Sequence, residues 1–155
     1  MTGFSMTERK SIMGNFAQFM KQNKAVKSNT TYAATKSLVD SEGKPLLWEI
    51  KPISSRENTA LRESCMKEVP IPGKPNAYRQ KINTGDYISR LLVASCVTPD
   101  LYDKELQDSY GVMTPEDLLF ALVDDPGEYD ALTAFVQNFN GFSKSFEETV
   151  DEAKN

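Results

Sequence analysis

Leu46-Leu-Trp-Glu-Ile-Lys-Pro-Ile-Ser-Ser-Arg-Glu57 changes its period half-way along, and that change decides the fold class. The first half alternates Leu46, Trp48 and Ile50 against Leu47, Glu49 and Lys51, the period of two expected of a strand with one buried face. Pro52 ends that strand or leaves it at an edge. Ser54 to Glu57 then reads as a capping box, in which the Ser54 hydroxyl caps the first helical turn and Glu57 reaches back to the cap residue. A strand feeding directly into a capped helix places the chain in the α+β class.

Upstream, Asp40-Ser-Glu-Gly-Lys-Pro45 supplies turn chemistry and Tyr32 to Val39 is extended in character, so a small β-hairpin is expected near residues 32–53. Downstream, the helix opened by Ser54 should run through Leu61, Cys65 and Met66. Val69 to Pro75 cannot be helical, and it leads to a short extended piece at Tyr78 to Ile82. A helix beginning around Thr84, with Tyr87, Ile88, Leu91, Leu92 and Val97 apolar, is the candidate for the central core helix, stopped by Pro99. A shorter helix fits between Asp100 and Tyr110, with Gly111 closing it. Thr114-Pro-Glu-Asp117 and Asp125-Pro-Gly-Glu128 share one grammar, a capping side chain followed by Pro at the first helical position. The second opens a helix with Tyr129, Leu132, Phe135, Val136 and Phe139 on one face, closed by Asn140-Gly141.

Before the hairpin, Thr7 to Gln22 places Ile12, Met13, Phe16, Phe19 and Met20 on one helical face. A polar stretch, Asn23 to Thr31, follows. The organisation expected is therefore residues 1–31 as an amphipathic helix and linker, 32–142 as hairpin plus helical core in a predominantly helical single domain, and 143–155 as an acidic tail that frays.

The chain has 155 residues, enough for one domain with a real core. Its longest apolar run, Leu118 to Val123, is far below the ~20 residues needed to cross a bilayer. Glu8, Arg9 and Lys10 precede any apolar stretch, so no signal peptide and no membrane association are expected, and the cytoplasm is the default compartment. Histidine is absent, which removes Ser-His-Asp triads, Cys-His dyads and His-ligated zinc. Cys65 and Cys96 have neither zinc-ribbon nor redox spacing and read as small core residues.

Net charge is -4, unevenly placed. Residues 1–97 carry 15 Lys or Arg against 8 Asp or Glu, and residues 98–155 carry 3 against 14. This fits halves that attract within and between copies better than a nucleic-acid surface, which overall acidity opposes. The one basic tract with an aromatic, Lys21, Lys24, Lys27 and Lys36 with Tyr32, has no arginine and is sparse, so no nucleic acid is expected as a partner.

Motifs that suggest chemistry have simpler readings. Gly-Lys-Pro at 43 and 73 lacks the Ser or Thr and the upstream Gly of a phosphate loop, and both copies read as turns. Ser64-Cys-Met-Lys67 has the spacing of a serine acyl enzyme without its companion motifs. Asp100, Asp103, Glu105 and Asp108 lack the glycine of a calcium loop and fit helix N-termini instead. No catalytic, cofactor-binding or metal-binding residue is singled out. A small enzyme using carboxylates would need a cleft and a perturbed acid.

The order of features from residue 45 to 141 resembles the XkdN-like family of phage tail assembly chaperones. The stretches that carry the likeness are Leu46 to Ile53, the capped Ser54 to Glu57 with Leu61, Arg62 and Cys65, then Tyr87 to Leu92 and Val97-Thr-Pro-Asp-Leu101. The most specific are Leu106-Gln-Asp-Ser-Tyr-Gly-Val112, Thr114-Pro-Glu-Asp-Leu-Leu119 and Gly127-Glu-Tyr-Asp-Ala-Leu132. The resemblance implies a non-enzymatic factor that binds the helix-rich tape measure protein, keeps it soluble, helps the tail tube protein polymerise and is absent from the finished virion. It also implies a longer version of the chain made by frameshifting, as in many phages, with several copies per client or a homo-oligomer. The alternative is a structural tail component or adaptor retained in the particle. A client with long apolar helical faces needs adaptable apolar partners. Ile12, Met13, Phe16, Phe19, Met20, Phe135 and Phe139 are the candidates for client contact or self-association, although helical apolar stripes more often face inward.

Overall fold

The computed structural model describes residues 15–142. Strand β1 (Thr30–Tyr32) pairs antiparallel with β2 (Trp48–Ile50), Tyr32 opposite Trp48 and Thr30 opposite Ile50. A hairpin forms near the expected place, but its first strand is Thr30–Tyr32, at the end of the expected linker, and not Tyr32 to Val39. Thr35 and Lys36 are bound to Glu128 instead, and only an isolated bridge from Val39 to Pro45 follows. Trp48 and Ile50 are buried, whereas Leu46 and Leu47 precede the strand and stay exposed. The hairpin loop turns through Gly43 at φ +81°, a conformation glycine reaches without Cβ strain. A third strand, β5 (Cys96–Thr98), pairs with the other edge of β2, giving the order β1-β2-β5.

Helix α1 (Ser55–Ser64) follows with the predicted capping box complete: the Glu57 amide donates to the Ser54 hydroxyl at 3.1 Å and the Ser54 amide to the Glu57 carboxylate at 3.3 Å. The backbone hydrogen bond from Ser54 leads the effects that hold the Glu57 carboxyl below its ordinary value. The expected continuation through Met66 does not occur. The Cys65 carbonyl instead accepts the Asn83 amide at 2.8 Å, and Met66 opens a second sheet. The Arg90 guanidinium closes the end of α1, donating to the Ser64 carbonyl at 3.0 Å.

That second sheet is a hairpin of β3 (Met66–Pro70) and β4 (Tyr78–Ile82), turning through Gly73 at φ +77°. Both Gly-Lys-Pro copies are thus turns. Helix α2 (Thr84–Ser95), capped by Asn83, buries Tyr87, Leu91, Leu92 and Val93 and packs on α1, α4 and α5. It ends before Val97, which was expected on its apolar face. The Ser95 carbonyl accepts the Lys51 amide at 2.8 Å, so the chain leaves the helix to join β2, and Val97 is exposed in β5. Tertiary pairing here overrides local periodicity.

Three further helices complete the fold: α3 (Lys104–Ser109), α4 (Pro115–Leu122) and α5 (Pro126–Phe139), capped by Asp103, Thr114 and Asp125. The core runs from Trp48 and Ile50 through Leu91 and Leu92 to Leu118, Leu119, Leu132 and Val136, all at most 2% exposed. The fold is α+β, helix-dominated and single-domain, as the sequence predicts.

Candidate interaction surface

The segment after residue 23 lies along α5. Thr35 donates its hydroxyl to one Glu128 carboxylate oxygen and the Lys36 amide donates to the other, each at 2.8 Å. Tyr32 stacks on Phe135 with ring centroids 4.2 Å apart, and Phe135 stands 6.3 Å from Phe139. The Lys27 ammonium sits 4.7 Å from the centre of the Phe139 ring and donates to the Phe139 carbonyl. Asn140 continues the seam by accepting the Ile53 amide at 2.7 Å. Phe135 and Phe139 are therefore half-buried, packed against the core and partnered by the chain's own upstream segment.

The N-terminal candidates differ. Residues 15–17 are helical, after which the Phe19 and Met20 amides bond to Phe16 and Ala17 carbonyls, three residues back. A 3-10 turn, Lys21–Asn23, follows, so the expected helix does not continue to Gln22. Three-residue closures tighten the chain and set the side chains differently from an α-helical stripe. Phe16, Phe19 and Met20 are 75%, 88% and 41% exposed. Ile12 and Met13 lie outside the described residues.

A second aromatic feature occupies the junction of α4 and α5. Phe120 stacks on Tyr129 at 5.0 Å, over a shallow depression of about 290 Å³ lined also by Val123, Asp124, Pro126 and Asp130. Burial, then the Asp130 carboxylate, pushes the Tyr129 hydroxyl above its ordinary pKa. The apolar run Leu118 to Val123 carries a signal for this. On one helix, Phe120 falls away from Leu118, Leu119 and Leu122, which are buried.

The groups that suggested chemistry are engaged structurally. The Ser64 hydroxyl donates to the Leu61 carbonyl at 2.7 Å and accepts from Arg90 at 2.9 Å, while the Lys67 ammonium lies 3.7 Å from the Asp86 carboxylate. Asp103 accepts the Leu106 amide, and Asp108 faces Lys104 at 3.5 Å. Cys65 is buried. The Cys96 thiol donates to the Pro99 carbonyl, and burial, followed by Asp100, pushes it up to about 12. A thiol so held stays protonated near neutral pH and is a poor nucleophile. Among the described residues, no helix is long and apolar enough to cross a membrane, and no group of three or more Cys, Asp or Glu gathers as metal ligands.

A family model, the phage XkdN-like tail assembly chaperone protein, matches residues 16–154. The chain belongs to that family. The match extends on both sides of the 45–141 stretch that carried the sequence resemblance, and it takes in Phe16, Phe19 and the Lys27 to Lys36 segment. This tail assembly chaperone is similar in fold to the crystal structure of the protein YqbN, with a TM-score of 0.67 and 20% identity over 82% of this chain and 96% of that one. No curated protein matches it significantly. The sequence marks Lys27 and Tyr32 only as part of a sparse basic tract and gives Phe120 no role of its own, because the roles of all three depend on partners that the fold brings to them.

Proposed function

We propose that this chaperone binds the tape measure protein in the host cytoplasm, keeps it soluble and assists assembly of the tail tube around it. The contribution is binding alone, with no catalysis. Several copies act on each client and leave before the particle is complete, and a frameshifted longer version and the tail tube protein are its further partners. The observation that carries this reading is the contrast in exposure between Phe16 and Phe19, at 75% and 88%, and the closed core at 4% or less. Large apolar side chains held in water fit a partner that presents apolar helical faces, as a long helix-rich client does.

The test is co-expression with the longest downstream reading frame, followed by affinity capture and size-exclusion chromatography with light scattering. The helix-rich product should be soluble only with the chaperone and should co-elute with several copies. Phe16→Ala/Phe19→Ala should change folding stability by no more than about 0.5 kcal/mol, because both residues are exposed, yet weaken capture at least tenfold. Failure to associate, together with the chain's presence in purified tails, would establish the structural-component alternative instead.

A further inference from the structure

The β3–β4 hairpin and the α4–α5 depression are complementary, and both belong to one chain. The register sets Lys67 opposite Lys81 and Val69 opposite Arg79, so by strand alternation these four residues share one face of the hairpin. Like charges directly across a strand pair destabilise it. Of these three cations Lys67 is compensated by an ion pair, with Asp86 at 3.7 Å, while Arg79 and Lys81 are exposed. Beside them lies a depression of about 360 Å³ lined by Lys67, Val69, Lys81, Ile82, Asn83 and Thr84.

The opposite character is found after β5. Residues 98–142 carry ten Asp or Glu and a single Lys, Lys104. Asp125 and Glu128 are engaged with backbone amides, but Asp124 and Asp130 are exposed and line the same depression as the stacked Phe120 and Tyr129. A cation laid there meets aromatic faces and carboxylates together.

We propose that the basic face of the hairpin of one copy docks on the acidic, aromatic-lined α4–α5 depression of a second copy. The two patches differ, so the contact is head-to-tail, and each added copy leaves one patch of each kind free. Complementary charge speeds such association and excludes the like-with-like alternative. The proposal does not rest on the client reading, because its test contains no client.

The experiment is light scattering on the full chain across a concentration series at low and high salt. Wild type should grow in mass with concentration at low salt and dissociate at high salt. Arg79→Glu/Lys81→Glu and Asp124→Lys/Asp130→Lys should each be monomeric alone, with self-affinity reduced at least about tenfold. A mixture of the neutralised variants Arg79→Gln/Lys81→Gln and Asp124→Asn/Asp130→Asn should form a dimer and stop there, because only one charged pair of patches remains. Circular dichroism checks folding. Should a reversal variant fail to fold, Arg79→Gln/Lys81→Gln and Asp124→Asn/Asp130→Asn should give the same order with smaller effects. A wild type that is monomeric at all salts would overturn the proposal and leave the lysines as guards of an open sheet edge. A mixture that fails to pair, or a folded hairpin variant that self-associates like wild type, would overturn it equally.

Discussion

Helix α2 and the β3–β4 hairpin are consecutive in the chain and opposite in construction. The helix puts Tyr87, Leu91, Leu92 and Val93 at most 4% exposed, against α1, α4 and α5. The ten strand residues of the hairpin include no buried side chain; only Val69 and Ile82 are half-covered. A two-stranded hairpin is marginal by itself, so this one persists because α1 and α2 anchor its open ends. The difference separates two constraints on sequence. Residues in α2 are held to a size and shape by their neighbours, whereas hairpin residues need only keep the backbone extended. The hairpin's side chains are consequently free to concentrate charge, and they do.

The largest expected effect falls on the buried side of this comparison. Leu91→Ala removes a fully buried side chain and should cost about 2–5 kcal/mol, read as a lower urea midpoint with an unchanged slope. Gln80→Ala in the hairpin should stay within about 0.5 kcal/mol. Similar losses at both sites would break the comparison. The next effect belongs to the segment laid over α5, which is neither core nor hairpin. Glu128→Ala withdraws the acceptor of the buried Thr35 hydroxyl and of the Lys36 amide, and should cost about 1–3 kcal/mol. A loss below about 0.5 kcal/mol in denaturant titration would mean that the Tyr32–Phe135 stack and Lys27 hold the segment without it.

Local chemistry was readable wherever the cause is local. Ser54, Thr114 and Asp125 announce their helices because a capping side chain and its amides lie within three residues of each other. The alternation through Trp48 and Ile50 announced β2 for the same reason. For Cys96-Val-Thr98 the sequence predicts helix, because its extended form comes from pairing with Glu49 and Ile50, far back in the sequence. For Met66 it predicts helix too, because nothing nearby shows that Asn83 will claim the Cys65 carbonyl. The candidate surface divides in the same way. Phe135 and Phe139 were legible as an apolar face, but their covering by Tyr32 and Lys27 is a tertiary fact. At Phe19 and Met20 the helical period persisted while the helix did not. Their exposed side chains bring no packing to favour α geometry over the tighter turn.

A small effect should come even from the largest alteration, removal of the β3–β4 hairpin itself. The Asn83 amide meets the Cys65 carbonyl at 2.8 Å and Met66 pairs with Ile82, so the chain enters and leaves the hairpin at one place. Replacing residues 67–81 by Asn-Gly should join Met66 to Ile82 through a two-residue turn of the kind that matches strand twist. The excision takes nothing from the fully buried core, and the Lys67–Asp86 pair it removes is exposed and worth little. Shortening the loop lowers its closure entropy slightly in compensation. The net change should therefore lie within about 1 kcal/mol, a shift of a few degrees in a thermal melt. A loss as large as that of Leu91→Ala would make the hairpin part of the body and end the distinction. A stable body that no longer self-associates at low salt would sharpen it, because an element that contributes contacts between copies and almost nothing to folding is an arm in the functional sense.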